Sequence, residues 1–181
     1  MSFTTAFRSN ALGVLDKLKK KDAEIAELQK AKGQYSKNYF SSMMEKAEGE
    51  RSELIRAGRH EAQRQIDEFK KGLHERYAPD GEKLTADAAL LTSGRALNAD
   101  DLDGLMQKHA GNFTMQRLIS EYAERNEIHT NHKFFSEAAK GMAADHLMSF
   151  YNSVVARPEF ADLWEKPETF ATLTEGELSG D

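Results

Sequence analysis

The chain has 181 residues, no cysteine, 30 acidic against 25 basic side chains, and a net charge of −5. Disulfide and thiolate chemistry are therefore excluded, and no apolar run approaches the roughly 20 residues that a membrane-spanning helix needs. Hydrophobic residues make up 39% and charged residues 30%, a balance that suits helices with one apolar stripe and a wide solvated face rather than a large round core.

The first 77 residues contain no proline and carry apolar residues at heptad spacing: Phe7, Ala11, Val14, Leu18, Ile25 and Leu28, then Tyr35 and Tyr39. Steps of four and three mark a helix seam that packs on another helix. A first helix is expected from Thr4 or Ser9 to Lys32. Gly33 then supplies a stop and Ser36 an N-cap for a second helix over Lys37 to Tyr77. One uninterrupted helix over residues 4–77 would reach about 110 Å at 1.5 Å per residue. A hairpin buries both stripes within one chain and is the expectation here. On the second helix Gly58 suits a close approach of another helix, whereas Gly49 and Gly72 have no evident role. Ile66, Phe69 and Leu73 form a stripe that the shorter first helix would leave partly open, which predicts a homo-oligomeric contact through them.

Ala78-Pro79-Asp80-Gly81 has turn chemistry and is the expected domain boundary, giving a coiled-coil hairpin over residues 1–78 and a helical bundle over 79–166. Within the bundle, a short helix over residues 86–91 closes at Gly94. Asn98 caps a helix from Ala99 to Ala110, with Asp100, Asp101 and Asp103 favouring its dipole. Asn112 or Thr114 caps another that runs through Arg125. A last long helix is expected from Asn131 to Ala156, with Phe135, Ala139, Met142, Leu147, Phe150 and Val154 facing inward. Trp164, the only tryptophan, should pack back on the bundle, and residues 167–181 read as an acidic flexible tail. No stretch alternates as a strand would, so the fold class is all-α.

Charge is uneven: residues 1–77 hold 16 Lys/Arg against 12 Asp/Glu, and residues 78–181 hold 9 against 18. Lys17, Lys19, Lys20 and Lys21 cluster on the first helix and suit a salt-sensitive partner contact. Acids are interleaved among these and later basic residues, as on a salt-bridged coiled-coil surface and unlike a phosphate-binding face. Asp100, Asp101 and Asp103 resemble a calcium loop, but alignment on Gly104 leaves Ala99 and Ala110 at its end positions. His129 and His132 lie beside Glu127, too few for a zinc set by themselves. His60-Glu61 has Arg64 where a zincin motif needs its second histidine. No phosphate loop, dinucleotide fingerprint or nucleophile elbow is present. The residues therefore point to a protein without catalytic residues, metal or cofactor, acting by contact with another protein.

The block Leu84 to Gly94, followed by Leu97 to Leu102, Asn112 to Leu118 and the preceding Tyr35-Ser-Lys-Asn-Tyr39, resembles small proteins encoded among the head genes of tailed bacteriophages and prophages of Gram-positive bacteria. The likeness covers about residues 35–125. It implies virion assembly, as a scaffold-like or capsid-associated subunit, in the host cytoplasm or the virion, with a capsid protein as partner. Phages also encode small acidic helical inhibitors of host nucleases such as Cas9. In that alternative the partner is a nuclease, and Asp100, Asp101 and Asp103 imitate phosphates.

Overall fold

A computed structural model describes residues 2–157 together with Asp162, Trp164, Lys166 and Leu178. The described residues form six α-helices and no strand: α1 (Phe3–Lys30), α2 (Lys37–Tyr77), α3 (Ala88–Thr92), α4 (Ala99–Lys108), α5 (Phe113–Arg125) and α6 (Glu137–Ala156). The fold is all-α, and its long N-terminal helix pair packs together. The chain divides into two compact units, Met1–Phe69 with Met142–Asp181, and Lys70–Gly141. This differs from the expected division at residues 78 and 79. Both α2 and α6 contribute to each unit, a long-range arrangement that turn chemistry at Ala78–Gly81 does not reveal.

In the first unit α1 and α2 form the antiparallel hairpin. Helix α1 begins one residue before the earlier of the two expected starts, and Ser2 caps it by accepting from the Thr5 backbone N–H at 3.3 Å. A 3-10 turn over Lys32–Gln34 reverses the chain. The register is fixed by Phe3 stacked on Phe69 with ring centroids 4.0 Å apart, by Val14 against Gly58, and by the ion pairs Lys21–Glu50 and Asp22–Arg51. Residue numbers in each pair add to between 71 and 73, so Leu18 lies across from Leu54 and Leu28 from Met44.

Residues 142–156 of α6 supply the third helix of this unit. Its core contains Phe7, Leu15 and Leu18 of α1, Ile66 and Phe69 of α2, and Leu147, Tyr151 and Val155 of α6. Leu15 was not among the expected seam residues, because packing on two helices widens the buried stripe beyond a strict heptad line. Trp164 is fully buried against Phe150, Phe7 and Tyr151, with centroids at 5.1, 6.1 and 5.9 Å. The expected tail, residues 167–181, lies outside the described residues apart from Leu178, which is buried.

Gly58 carries the close approach that its position suggests. A Cβ built there would stand 2.6 Å from the Tyr151 hydroxyl and 2.8 Å from Val14 Cγ1. The Tyr151 hydroxyl is itself buried without a hydrogen-bond partner, and burial pushes it up to about 12. Gly58→Ala should therefore destabilise the protein, although alanine favours helix by about 1 kcal/mol. Tyr151→Phe removes an orphan hydroxyl and should be neutral or stabilising by about 1 kcal/mol. In the double variant the part of the Gly58→Ala loss due to the Tyr151 hydroxyl should disappear, while the part due to Val14 stays. Denaturant unfolding of the four proteins measures this coupling. Additive losses would exclude the Gly58–Tyr151 contact as their cause.

In the second unit α4 and α5 pack around Leu97, Leu102, Met106, Ile119 and Ala123. Asn98 and Asp101 form a capping box on α4, and Asn112 caps α5 by accepting from the Met115 N–H. Gly94 and Gly111 adopt φ of +74° and +85°, the left-handed conformation that favours glycine. Tyr122 donates to the Arg95 carbonyl at 3.0 Å and accepts from the Leu97 N–H at 3.3 Å, which ties the 94–98 loop to α5.

Two expectations about α6 are corrected. The helix begins at Glu137 rather than Asn131, with Ser136 capping it by accepting from the Ala139 N–H at 3.2 Å, while the Asn131 and His132 N–H groups donate to Asp103. Met142, expected inward, is 60% exposed.

Candidate functional site

The residues expected to bind partners have three different fates. Ile66, Phe69 and Leu73 are 0%, 8% and 1% exposed. Ile66 and Phe69 are consumed in the first unit's own core, where α6 takes the place that a partner helix was expected to fill. Leu73 is buried in the second unit. An open oligomerising stripe along these three residues is thus corrected.

The lysine cluster is largely satisfied within the chain. Lys20 pairs with Asp16 at 2.7 Å, and Lys19 stands 3.9 Å from Asp162. Lys21 bridges Glu24 of its own helix and Glu50 of α2, the latter at 2.7 Å. These two carboxylates hold the Lys21 ammonium above its ordinary value, and Lys21 holds Glu50 below its own. Lys17 is exposed.

Among the acids, Asp100 faces solvent, whereas Asp101 accepts the Asn98 N–H at 3.1 Å in the capping box. Asp103 accepts backbone N–H groups from His132 at 2.9 Å and from Asn131, together with the Asn131 side-chain amide at 2.8 Å. The His132 N–H, with those from Asn131, pulls the Asp103 carboxyl down to about 2. Its role is to fasten the 131–132 loop onto α4. A depressed folded-state value contributes stability above the ordinary carboxylate range, and that contribution is lost as pH falls towards about 2. Asp103→Asn should consequently flatten the acid limb of a stability–pH curve between about pH 4 and 2. It should also speed amide exchange at Asn131 and His132. Unchanged exchange would mean that this loop is held by something else.

Two features escaped the sequence reading. His109 is buried, with Nε2 2.8 Å from the Asp87 carboxylate, which also meets Lys108 at 2.7 Å. Lys108, followed by His109, lowers the Asp87 carboxyl from its ordinary value. These partners lie 21 and 22 positions away, so no local spacing announces them. An open groove of about 350 Å³ is lined by Tyr77, Pro79, Leu84, Thr114, Arg117 and Leu118, with Leu84 48% exposed. Among the described residues no group of three or more His, Asp or Glu side chains converges as a metal site, and no helix is long and apolar enough to cross a membrane.

The remaining surface is the distal half of the hairpin. Of residues 19–57 only Ala47 is buried. Ile25, Leu28, Met43, Met44 and Leu54 are half-buried, since two helices cover a seam that a third would close. At its tip Tyr35 and Tyr39 are 38% and 56% exposed, with rings 5.5 Å apart, and Lys32 stands over the half-buried Phe40 ring at 5.8 Å. Tyr35 and Tyr39 continue the heptad spacing of α1 but lie beyond its end, so the pattern marks apolar positions that the hairpin does not bury.

No protein-family model matches the chain, and neither a curated protein nor a solved structure shows significant similarity to it.

Proposed function

We propose that this protein works by contact, without turnover, metal or cofactor, as a virion-assembly protein of a tailed phage whose hairpin engages a capsid protein. The observation that carries the contact reading is the distal hairpin, where, among the described residues, a helical seam and two exposed tyrosines stand without a third helix. A half-buried apolar seam ending in two exposed tyrosines is suited to protein docking. The virion part rests on the likeness of residues 35–125 to head-gene proteins. The nuclease-inhibitor alternative has less to draw on, because Asp101 and Asp103 are committed to a cap and a loop.

Co-expression with the capsid protein of the same genome tests the reading. Wild-type protein should change the yield or size of particles seen by electron microscopy. A Tyr35→Ser/Tyr39→Ser variant should lose that effect while keeping its helical circular dichroism. Particles unaffected by wild-type protein would contradict the capsid role. A hydrolytic activity that co-elutes with the purified chain would contradict the contact reading as a whole.

A further inference from the structure

The distal hairpin has a charge pattern that selects its occupant. Residues 28–44, the tip, hold Lys30, Lys32 and Lys37 and no carboxylate. The adjoining band, residues 22–27 of α1 and 45–53 of α2, holds seven carboxylates against two basic residues, Lys46 and Arg51. Antiparallel register places residues 45–50 of the band beside residues 22–27, six carboxylates with Lys46 among them, and residues 51–53 beside Lys19–Lys21, as the Lys21–Glu50 and Asp22–Arg51 pairs show. Tip and band are each about 13 Å long, at 1.5 Å rise over eight or nine residues of α2.

From this we infer that the distal hairpin binds a second copy of the chain, in a two-fold antiparallel overlap that lays each basic tip on the other copy's acidic band. This rests on the contact reading above and gives the distal hairpin a second copy of the chain as a partner besides the capsid protein. A two-fold interface uses one patch on both subunits, so it has to be self-complementary. Adjacent patches of equal length and opposite sign satisfy that condition only when the copies run antiparallel with an offset of about one patch. Direct tip-to-tip pairing would bring six lysines together, of which only the two Lys30 side chains have a carboxylate, Glu27 of their own chain at 2.7 Å, beside them. The overlap creates a four-helix arrangement of the kind in which two amphipathic hairpins cover each other's seams. Half-buried Leu28, Met43 and Met44 lie at the tip–band junction, next to the two-fold axis, and Tyr39 meets the partner's α2. Charge complementarity fixes the offset while the apolar seam supplies the buried area.

Two reciprocal variants test the arrangement by sedimentation equilibrium without any other partner. The tip variant is Lys30→Glu/Lys32→Glu/Lys37→Glu, and the band variant is Glu45→Lys/Glu48→Lys/Glu53→Lys. All six side chains are exposed, so neither set should disturb the hairpin, and circular dichroism checks this. Wild-type protein should approach twice the 20.4 kDa chain mass as its concentration rises, less so at high salt. Each variant alone should associate at least about tenfold more weakly, a loss of about 1.4 kcal/mol. An equimolar mixture of the two should recover the dimer mass. Zero-length crosslinking of isotope-mixed wild-type protein should join Lys37 of one copy to band glutamates of another, a readout that needs no variant. Single-chain mass at every concentration overturns the inference, as do two variants that dimerise like wild type or a mixture that stays monomeric. A monomer that still alters particle assembly would remove this inference and leave the capsid role standing.

Discussion

Trp164→Ala should destabilise the protein by about 3–5 kcal/mol, the range for removing a fully buried large aromatic. Trp164 has no exposed surface and stacks on Phe150, with Phe7 and Tyr151 completing its surroundings. It therefore joins α1 and α6 through the aromatic cluster of the first unit. Small domains have only about 5–15 kcal/mol of stability in total, so the loss consumes a large share of what holds the unit together. Denaturant unfolding followed by helical circular dichroism measures it. Trp164→Phe, which keeps the stacking surface on Phe150, should lose less than half as much. If alanine cost under about 1 kcal/mol, the level of a surface substitution, the aromatic cluster would not be part of the folding core.

Ile66→Asp should be at least as damaging, costing about 4 kcal/mol or more, because it leaves an unpaired charge where the side chain has no solvent contact. The expected result is loss of folded structure rather than dissociation of an oligomer. This separates the structural account from the simpler sequence pattern, in which Ile66, Phe69 and Leu73 line an open stripe. Part of the deficit should disappear near pH 4, since burial raises the carboxyl of a new aspartate and the neutral acid is cheaper to bury. A folded, monodisperse Ile66→Asp protein with altered mass would restore the open stripe.

Much of the architecture is legible before any coordinates. The four-and-three spacing on α1, the Gly33 stop and the proline-free run to Tyr77 are local signals, and they locate both hairpin helices to within two residues at Lys30, Lys37 and Tyr77. Asn98 with Asp101, and Asn112 before Phe113, announce α4 and α5 for the same reason: a cap is satisfied by atoms three residues away. What is not legible depends on distant parts of the chain. Asn131 to Ser136 carries apolar Phe134 and Phe135 ahead of α6 and reads as its first turns, yet Asp103, 28 residues earlier, takes the amides of Asn131 and His132. Ile66 and Phe69 look open while α1 alone is considered, and closed once α6 returns to the first unit. The candidate surface sits between these cases. Its apolar spacing and its lysines are visible in sequence, but its exposure follows only from where the third helix packs.

The candidate surface exists only if the first 77 residues fold back on themselves, and one distance measures that. The chain has no cysteine, so Lys20→Cys/Ser52→Cys accepts two spin labels at exposed positions without background. Samples diluted with unlabelled protein report the separation within one chain. The hairpin register places the two sites across from each other, on helices whose axes are about 8–10 Å apart, and predicts a narrow short distance set by that spacing plus the label arms. A continuous helix would separate the same positions by about 48 Å, at 1.5 Å per residue, and a distribution centred there would contradict the account.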